Sequence, residues 1–177
     1  MNKGNIYIFT ALLLFLYLCV PAVDSIGQDD VSPLEFLKEQ ELRNKDNKGE
    51  IYLGKVMTIL YPAYSINAGK EYYPLLLELT DVIKSPLRKN YRIVIKGYTD
   101  NTGKARENLE ISVKRAETLK QLFIEKYYIE ADRITTEGHG EADPVASNKT
   151  AEERNLNRRV EIHIHGDVSE AVKFIER

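Results

Sequence analysis

Cysteine is almost absent. Cys19 is the only one in 177 residues, so no intrachain disulfide can form. A surplus of one charge is missing as well: the net charge is -2, which gives no broad basic field and excludes nucleic acid as an expected partner. No internal repeat and no low-complexity tract is present, so the chain reads as ordinary globular sequence. Catalytic groupings are also lacking. His163 and His165 share one strand face, but no third ligand of metal-site spacing accompanies them. His139 stands between glycines with no Ser, Cys or paired acid in a recognisable relation to it. The sequence thus offers no recognisable catalytic residue, metal site or cofactor site.

The one long uncharged run is Ile6 to Val23. Lys3 precedes it, the small residues Ala22 and Ser25 follow, and Asp29-Asp30 begins polar sequence. This is the n-, h- and c-region order of a secretory signal, so residues 1–25 are expected to be an export signal. Two other fates stay open. The run is at the short limit of a membrane span and could be kept as an anchor. Cys19 could instead be lipidated, although Leu18 is large for the position before a lipidated cysteine.

Residues 26–50 are polar and read as a linker or short exposed helix, too short for a β-barrel of their own. Their apolar patch, Leu34, Phe36 and Leu37, fits docking either on the same chain or on a partner. Ile51 to Tyr64 is rich in β-branched and aromatic residues and reads as strand, interrupted by Pro62. From Glu71 to Lys84, Tyr73, Leu76, Leu77, Leu79, Val82 and Ile83 recur at helical spacing, with Pro74 tolerable only in the first turn. Tyr91 to Tyr98 is a buried strand, and Asp100 to Gly103 has turn chemistry. A long amphipathic helix starts near Ala105. Arg133 to Gly138 is a strand, and residues 140–148 a loop. Thr150 and Glu153 fit a capping box for a short helix. Arg159 to His165 alternates Val160, Ile162 and Ile164 with Glu161, His163 and His165, as a half-buried strand does. Residues 166–177 form a short amphipathic tail. Most of the eleven tyrosines are expected to be half-buried packing residues. The order predicts an α+β fold: a two-layer α/β sandwich, βαβαββ, over residues 51–165, with the helices on one sheet face.

Asp100 lies just past a strand end, in a turn that leads into a helix, where backbone N–H groups point outward. Arg115 falls about three turns along that helix, on the same face as Ile111. Asp100 and Arg115, with Thr99, Asn101 and Thr102 of the turn and Ile111, make a surface suited to a small zwitterion. Its ammonium would meet Asp100, and its carboxylate the planar fork of Arg115. Spacing alone leaves a plainer alternative open, in which Asp100 caps its turn and Arg115 makes an intrachain ion pair.

Several spaced segments carry a family resemblance: Gly97-Tyr98-Thr99-Asp100-Asn101-Thr102-Gly103, then Asn108, Ser112 and Arg115-Ala116, then Gly138-His139-Gly140-Glu141, Pro144, Asn148-Lys149-Thr150, Arg154 and Asn157-Arg158-Arg159-Val160-Glu161-Ile162. From Tyr91 to His165 the chain resembles the OmpA C-terminal (OmpA-like) domain family, and more loosely so from Val56 to Ile83. It departs from the family at Tyr98, where His is frequent, at Pro62 after Tyr61, and at Glu153, where Gly is frequent.

The resemblance implies an OmpA-C-like domain that binds peptidoglycan non-covalently through the diaminopimelate of an uncrosslinked stem peptide. It implies that Asp100 and Arg115 hold that group. Asn157 and Arg158 are candidates for the pocket floor or for locking the fold. The expected protein is an exported one of the periplasm, associated with cell wall or outer membrane, that anchors or positions an envelope component. Its expected partners are peptidoglycan and other envelope or outer-membrane proteins. Two rivals remain: a membrane-anchored adaptor of a stator or secretion complex that uses the same domain, and a wall-modifying enzyme.

Overall fold

The computed structural model describes residues 32–175. The expected signal segment, Cys19, the start of the polar extension and the last two residues lie outside the described residues. Helix α1 spans Pro33–Arg43, β1 Ile51–Leu60, α2 Tyr73–Lys84, β2 Arg92–Gly97, α3 Ala105–Glu125, β3 Ile134–Gly138, α4 Ala151–Asn157, β4 Arg159–Gly166 and α5 Ser169–Ile175. The four strands form one sheet in the order β1-β4-β2-β3. β4 runs antiparallel to both β1 and β2, and β2 runs parallel to β3 through the α3 crossover. This is the expected two-layer α+β architecture, with the short α4 inserted between the last two strands.

Alternation places Ile93, Ile95, Val160, Ile162 and Ile164 on one sheet face, where Leu76, Leu79 and Ile83 of α2 and Ala116, Leu119 and Phe123 of α3 meet them. The helix signals act locally as written. Pro74 occupies the first turn of α2, where its missing N–H has no intrahelical acceptor to lose. Thr150 and Glu153 bond reciprocally at the start of α4 as a full capping box.

The residues ahead of Ile51 differ from a linker. α1 packs on β1 and α2. Leu37 is fully buried, while Leu34 and Phe36 lie against the core. The apolar patch therefore docks on its own chain. A bulge in β1 makes room for it: Gly54 has φ +125° and sits under Phe36, whose ring a Cβ there would meet at 2.7 Å. A buried ion cluster fixes the far end of α1. Arg88 Nε donates to Glu41 Oε1 at 2.6 Å, Arg88 Nη2 to Oε2 at 3.0 Å, and the Tyr91 hydroxyl to Oε1 at 2.6 Å. After His165, Val168, Ala171 and Val172 are also buried, so the tail is packed as well.

The second sheet face is polar, but its centre is not the exposed surface that alternation suggests. Arg159, Glu161 and His163 are buried. Arg159 Nε donates to Glu161 Oε1 at 2.8 Å, and His163 Nε2 lies 3.0 Å from Glu161 Oε2. The Tyr52 hydroxyl meets His163 Nδ1 at 2.8 Å, and its ring stacks on the imidazole. Burial pushes the Glu161 carboxyl up, but the hydrogen bonds from His163 and Arg159 and the charges of Arg159 and Lys55 outweigh it and hold the pKa at about 2.

A folded-state pKa below the ordinary carboxylate value adds stability above the unfolded pKa and loses it as pH falls toward the folded one. Resistance to urea unfolding is therefore expected to fall as pH drops from about 4.5 to 2, by on the order of 2 kcal/mol from this group. Glu161→Gln should flatten that part of the curve. An unchanged pH slope in the variant would remove Glu161 as the source.

Candidate functional site

The site forms where β2 hands over to α3. Gly97 ends β2 in backbone contact with the helix: a Cβ there would stand 2.1 Å from the Ser112 carbonyl oxygen. The next residues are pinned in turn. Tyr98 N donates to Arg159 O at 2.8 Å, and Thr99 N to Gly140 O at 2.7 Å. Asn108 Nδ2 donates to Asp100 O at 3.3 Å and to Glu141 Oε2 at 2.7 Å. Ser112 Oγ accepts from Gly140 N at 2.9 Å. Asn108 and Ser112 thus tie down the two loops above the helix, and Arg115, on the same stripe, reaches the floor between them.

Asp100 is buried and closes its own turn. Its Oδ1 accepts from Thr102 N at 3.1 Å and also from the Thr102 hydroxyl. Its Oδ2 accepts from Arg158 Nη1 at 2.7 Å. Burial pushes this carboxyl up, but the bonds from Thr102 and Arg158 and the Arg158 charge outweigh it, so it stays below the usual range and ionised. A carboxylate has about four lone-pair sites. One on Oδ2 remains for a ligand donor.

Arg115 is 1% exposed. Its Nε donates to Ser65 O at 2.9 Å, Nη1 to Tyr98 O at 2.9 Å and Nη2 to Pro62 O at 3.3 Å. All three acceptors are neutral carbonyls, and no carboxylate among the described residues forms a salt bridge with it. Burial lowers its pKa to about 10, against the Coulombic support of Tyr61 and Asp100. A buried, unpaired guanidinium is costly unless something neutralises it. Two of its five N–H groups have no protein acceptor among the described residues. The plainer alternative therefore describes Asp100, which does cap its turn, but not Arg115, which makes no ion pair among the described residues.

The cleft over these groups is lined by Asp100, Arg115 and Arg158, by Thr99, Thr102 and Ile111, and by Ala63, Tyr64, Gly103, Glu107 and Asn108. Two acids and two guanidiniums around one small cleft suit a ligand that carries both signs. Thr99 Oγ1 is buried there with no hydrogen-bond partner among the described residues.

Two sequence candidates fall outside the cleft. Asn101 is exposed, and its N–H donates to Asn148 Oδ1 at 3.3 Å. Asn157 is fully buried and locks the 144–148 loop: its Oδ1 accepts from Val145 N and Ala146 N, and its Nδ2 donates to Ala146 O. Arg158 does both jobs proposed for it, since it lines the cleft and its Nε donates to Tyr61 O at 3.1 Å. Ala63 and Tyr64 were not legible as lining residues, because they reach the cleft from a loop some fifty positions ahead of Arg115. The only signal for them was Pro62, which ends β1 and turns the chain.

Comparison with known proteins identifies the family. The OmpA family matches residues 64–158. Motility protein B of Bacillus subtilis (strain 168) is 33% identical over 138 residues, 73% of this chain and 52% of that protein. The peptidoglycan-binding protein ArfA of Mycobacterium tuberculosis (strain ATCC 25618 / H37Rv) is 36% identical over 101 residues, 56% of this chain and 31% of that one. The chain thus spans about half of the first relative and about a third of the second. Among solved structures, the cell wall anchor of the T6SS from Pseudomonas aeruginosa aligns with a TM-score of 0.52 at 28% identity, covering 75% of this chain and 95% of that one. The fold, the residue pattern around Asp100 and Arg115, and a match over more than half its length establish that the chain belongs to the OmpA family.

Proposed function

We propose that this domain binds peptidoglycan without breaking bonds and so anchors or positions an envelope component on the cell wall. The observation that carries the reading is Arg115, a fully buried guanidinium that faces a cleft and has no carboxylate partner among the described residues. The ligand is proposed to be the diaminopimelate end of an uncrosslinked stem peptide. Its carboxylate would take the remaining N–H groups of Arg115, and its ammonium the open side of Asp100 Oδ2. Thr99, Thr102 and Ile111 would line the space between. ArfA, by its name a peptidoglycan-binding protein, supports the peptidoglycan part of this reading. Residues 1–25 are proposed as an export signal that delivers residues 51–165, with α1 and α5 packed against them, to the periplasmic side.

The likeness to motility protein B and to the secretion-system wall anchor favours one second reading, a stator- or secretion-type adaptor. It would use the same cleft but keep Ile6 to Val23 as a membrane helix. The mature N-terminus, read by mass spectrometry from native membranes, separates the two.

The test of the site is a pull-down of the purified protein with insoluble peptidoglycan, competed by free diaminopimelate. Asp100→Ala is expected to bind at least about 30-fold more weakly, since removing one partner of a desolvated charge pair typically costs about 2–5 kcal/mol. A folded Asp100→Ala protein that binds like wild type would sink the assignment.

A further inference from the structure

Tyr64 stands at the rim of the cleft in an unusual state. Ser65 N donates to Pro62 O at 3.1 Å and closes a tight turn whose third residue is Tyr64, with φ +61°. A positive φ at that place belongs to glycine or asparagine, and a bulky L-residue adopts it only at an energetic penalty. Nothing in the domain offsets it through the ring. Tyr64 is 90% exposed, and its side chain makes no hydrogen bond or ring contact with any described residue. The turn is held in this shape from below by the site itself. Arg115 donates Nη2 to Pro62 O and Nε to Ser65 O, one bond on each side of the Ala63-Tyr64 pair. The guanidinium proposed to take the ligand carboxylate is therefore the group that presents the aromatic ring. Backbone strain of this kind, in a non-glycine residue at positive φ, collects at ligand clamps and active sites.

We infer that Tyr64 is a specificity-determining contact, whose ring covers an uncharged, C–H-rich face of the wall ligand next to the charged end held by Asp100 and Arg115. The inference rests on the wall-binding reading above. Such a face can come from the alkyl side of a neighbouring stem-peptide residue or from a sugar ring. Both sit beyond the diaminopimelate, so the ring should matter for the larger ligand and not for the charged end alone.

The experiment is calorimetry of the purified protein, wild type, Tyr64→Gly, Tyr64→Phe and Asp100→Ala, with a soluble disaccharide-tripeptide muropeptide, the tripeptide alone and free diaminopimelate. Tyr64→Gly is expected to bind the muropeptide roughly tenfold more weakly. It should keep its affinity for free diaminopimelate and melt no lower than wild type, because glycine relieves the turn. Tyr64→Phe should bind like wild type. A loss that appears equally with the tripeptide places the stem peptide under the ring, and a loss confined to the disaccharide ligand places a sugar there. Wild-type muropeptide affinity in Tyr64→Gly, with Asp100→Ala impaired, overturns this inference and leaves the wall-binding reading standing. Equal weakening toward free diaminopimelate also overturns it, since the ring would then act through the shape of the charged site. Failure of the wild-type protein to bind any of the three ligands overturns both.

Discussion

Arg115→Ala is expected to abolish measurable peptidoglycan binding and to destabilise the domain at the same time. The binding loss follows from the unpaired guanidinium at the cleft floor, which alanine removes together with any bidentate grip on a carboxylate. The stability loss has a separate origin. Arg115 holds the carbonyls of Pro62, Ser65 and Tyr98, and so ties the exit of β1 to the end of β2. Pro62 and Ser65 lie in an exposed stretch where water can replace the lost donors, but the Tyr98 carbonyl is hydrogen-bonded in the interior. A buried acceptor left unsatisfied costs about 1–3 kcal/mol, and the space left by the side chain adds to it. Relief of a desolvated charge works the other way. We expect a net loss of roughly 3 kcal/mol, which for a domain of this size lowers the melting temperature by on the order of 10 °C. Arg115→Lys keeps the charge, but an ammonium cannot serve three carbonyls and also present a planar fork to a ligand. It should bind poorly while melting closer to wild type. Thermal unfolding beside the peptidoglycan pull-down reads both effects. An alanine variant that melts with wild type would show that the carbonyl clamp is unimportant, and one that still binds would remove Arg115 from the site.

Glu41→Ala should destabilise the domain at least as much, by about 3–5 kcal/mol, with no direct effect on the cleft. Glu41 is fully buried, takes two hydrogen bonds from Arg88 and one from Tyr91, and is the only carboxylate paired with Arg88 among the described residues. Alanine would leave a buried guanidinium and a buried hydroxyl without their acceptor. The damage should concentrate where α1 meets the 86–91 segment, so amide exchange in α1 should rise before the sheet is affected. Replacing both charges, as in Glu41→Leu with Arg88→Met, should recover much of the loss, because apolar replacements of similar volume leave no charge behind. Below its melting point the single variant should bind peptidoglycan like wild type, since α1 contributes nothing to the cleft lining. Chemical denaturation within 1 kcal/mol of wild type would contradict this account of how α1 is held.

Asp100 and Arg115 were legible as a pair because a strand end, a turn and one helix face fix their relation within sixteen residues of chain. The same local logic made the capping box at Thr150 and Glu153 readable, and the stripe of Asn108, Ser112 and Arg115. Arg158 was readable only as a candidate, since its bond to Asp100 joins segments 58 positions apart. Alternation correctly assigned Glu161 and His163 to the face away from the helices. It could not show that Tyr52, Arg159 and their neighbours bury them there, because period gives the side of a sheet and not what lies over it.

The sequence by itself determined the element order, the helix-facing side of the sheet, the turn chemistry at Asp100 to Gly103 and the family resemblance. These depend on spacing between near neighbours, which backbone geometry sets. Only the tertiary structure decided that Arg115 holds three backbone carbonyls, that Tyr64 stands at the rim of the cleft, and that Leu37 and Glu41 belong to the core. Each of these joins groups about fifty residues apart or depends on what another element covers. Packing across such separations is fixed by the shape of the whole core, and no local spacing in the chain encodes it.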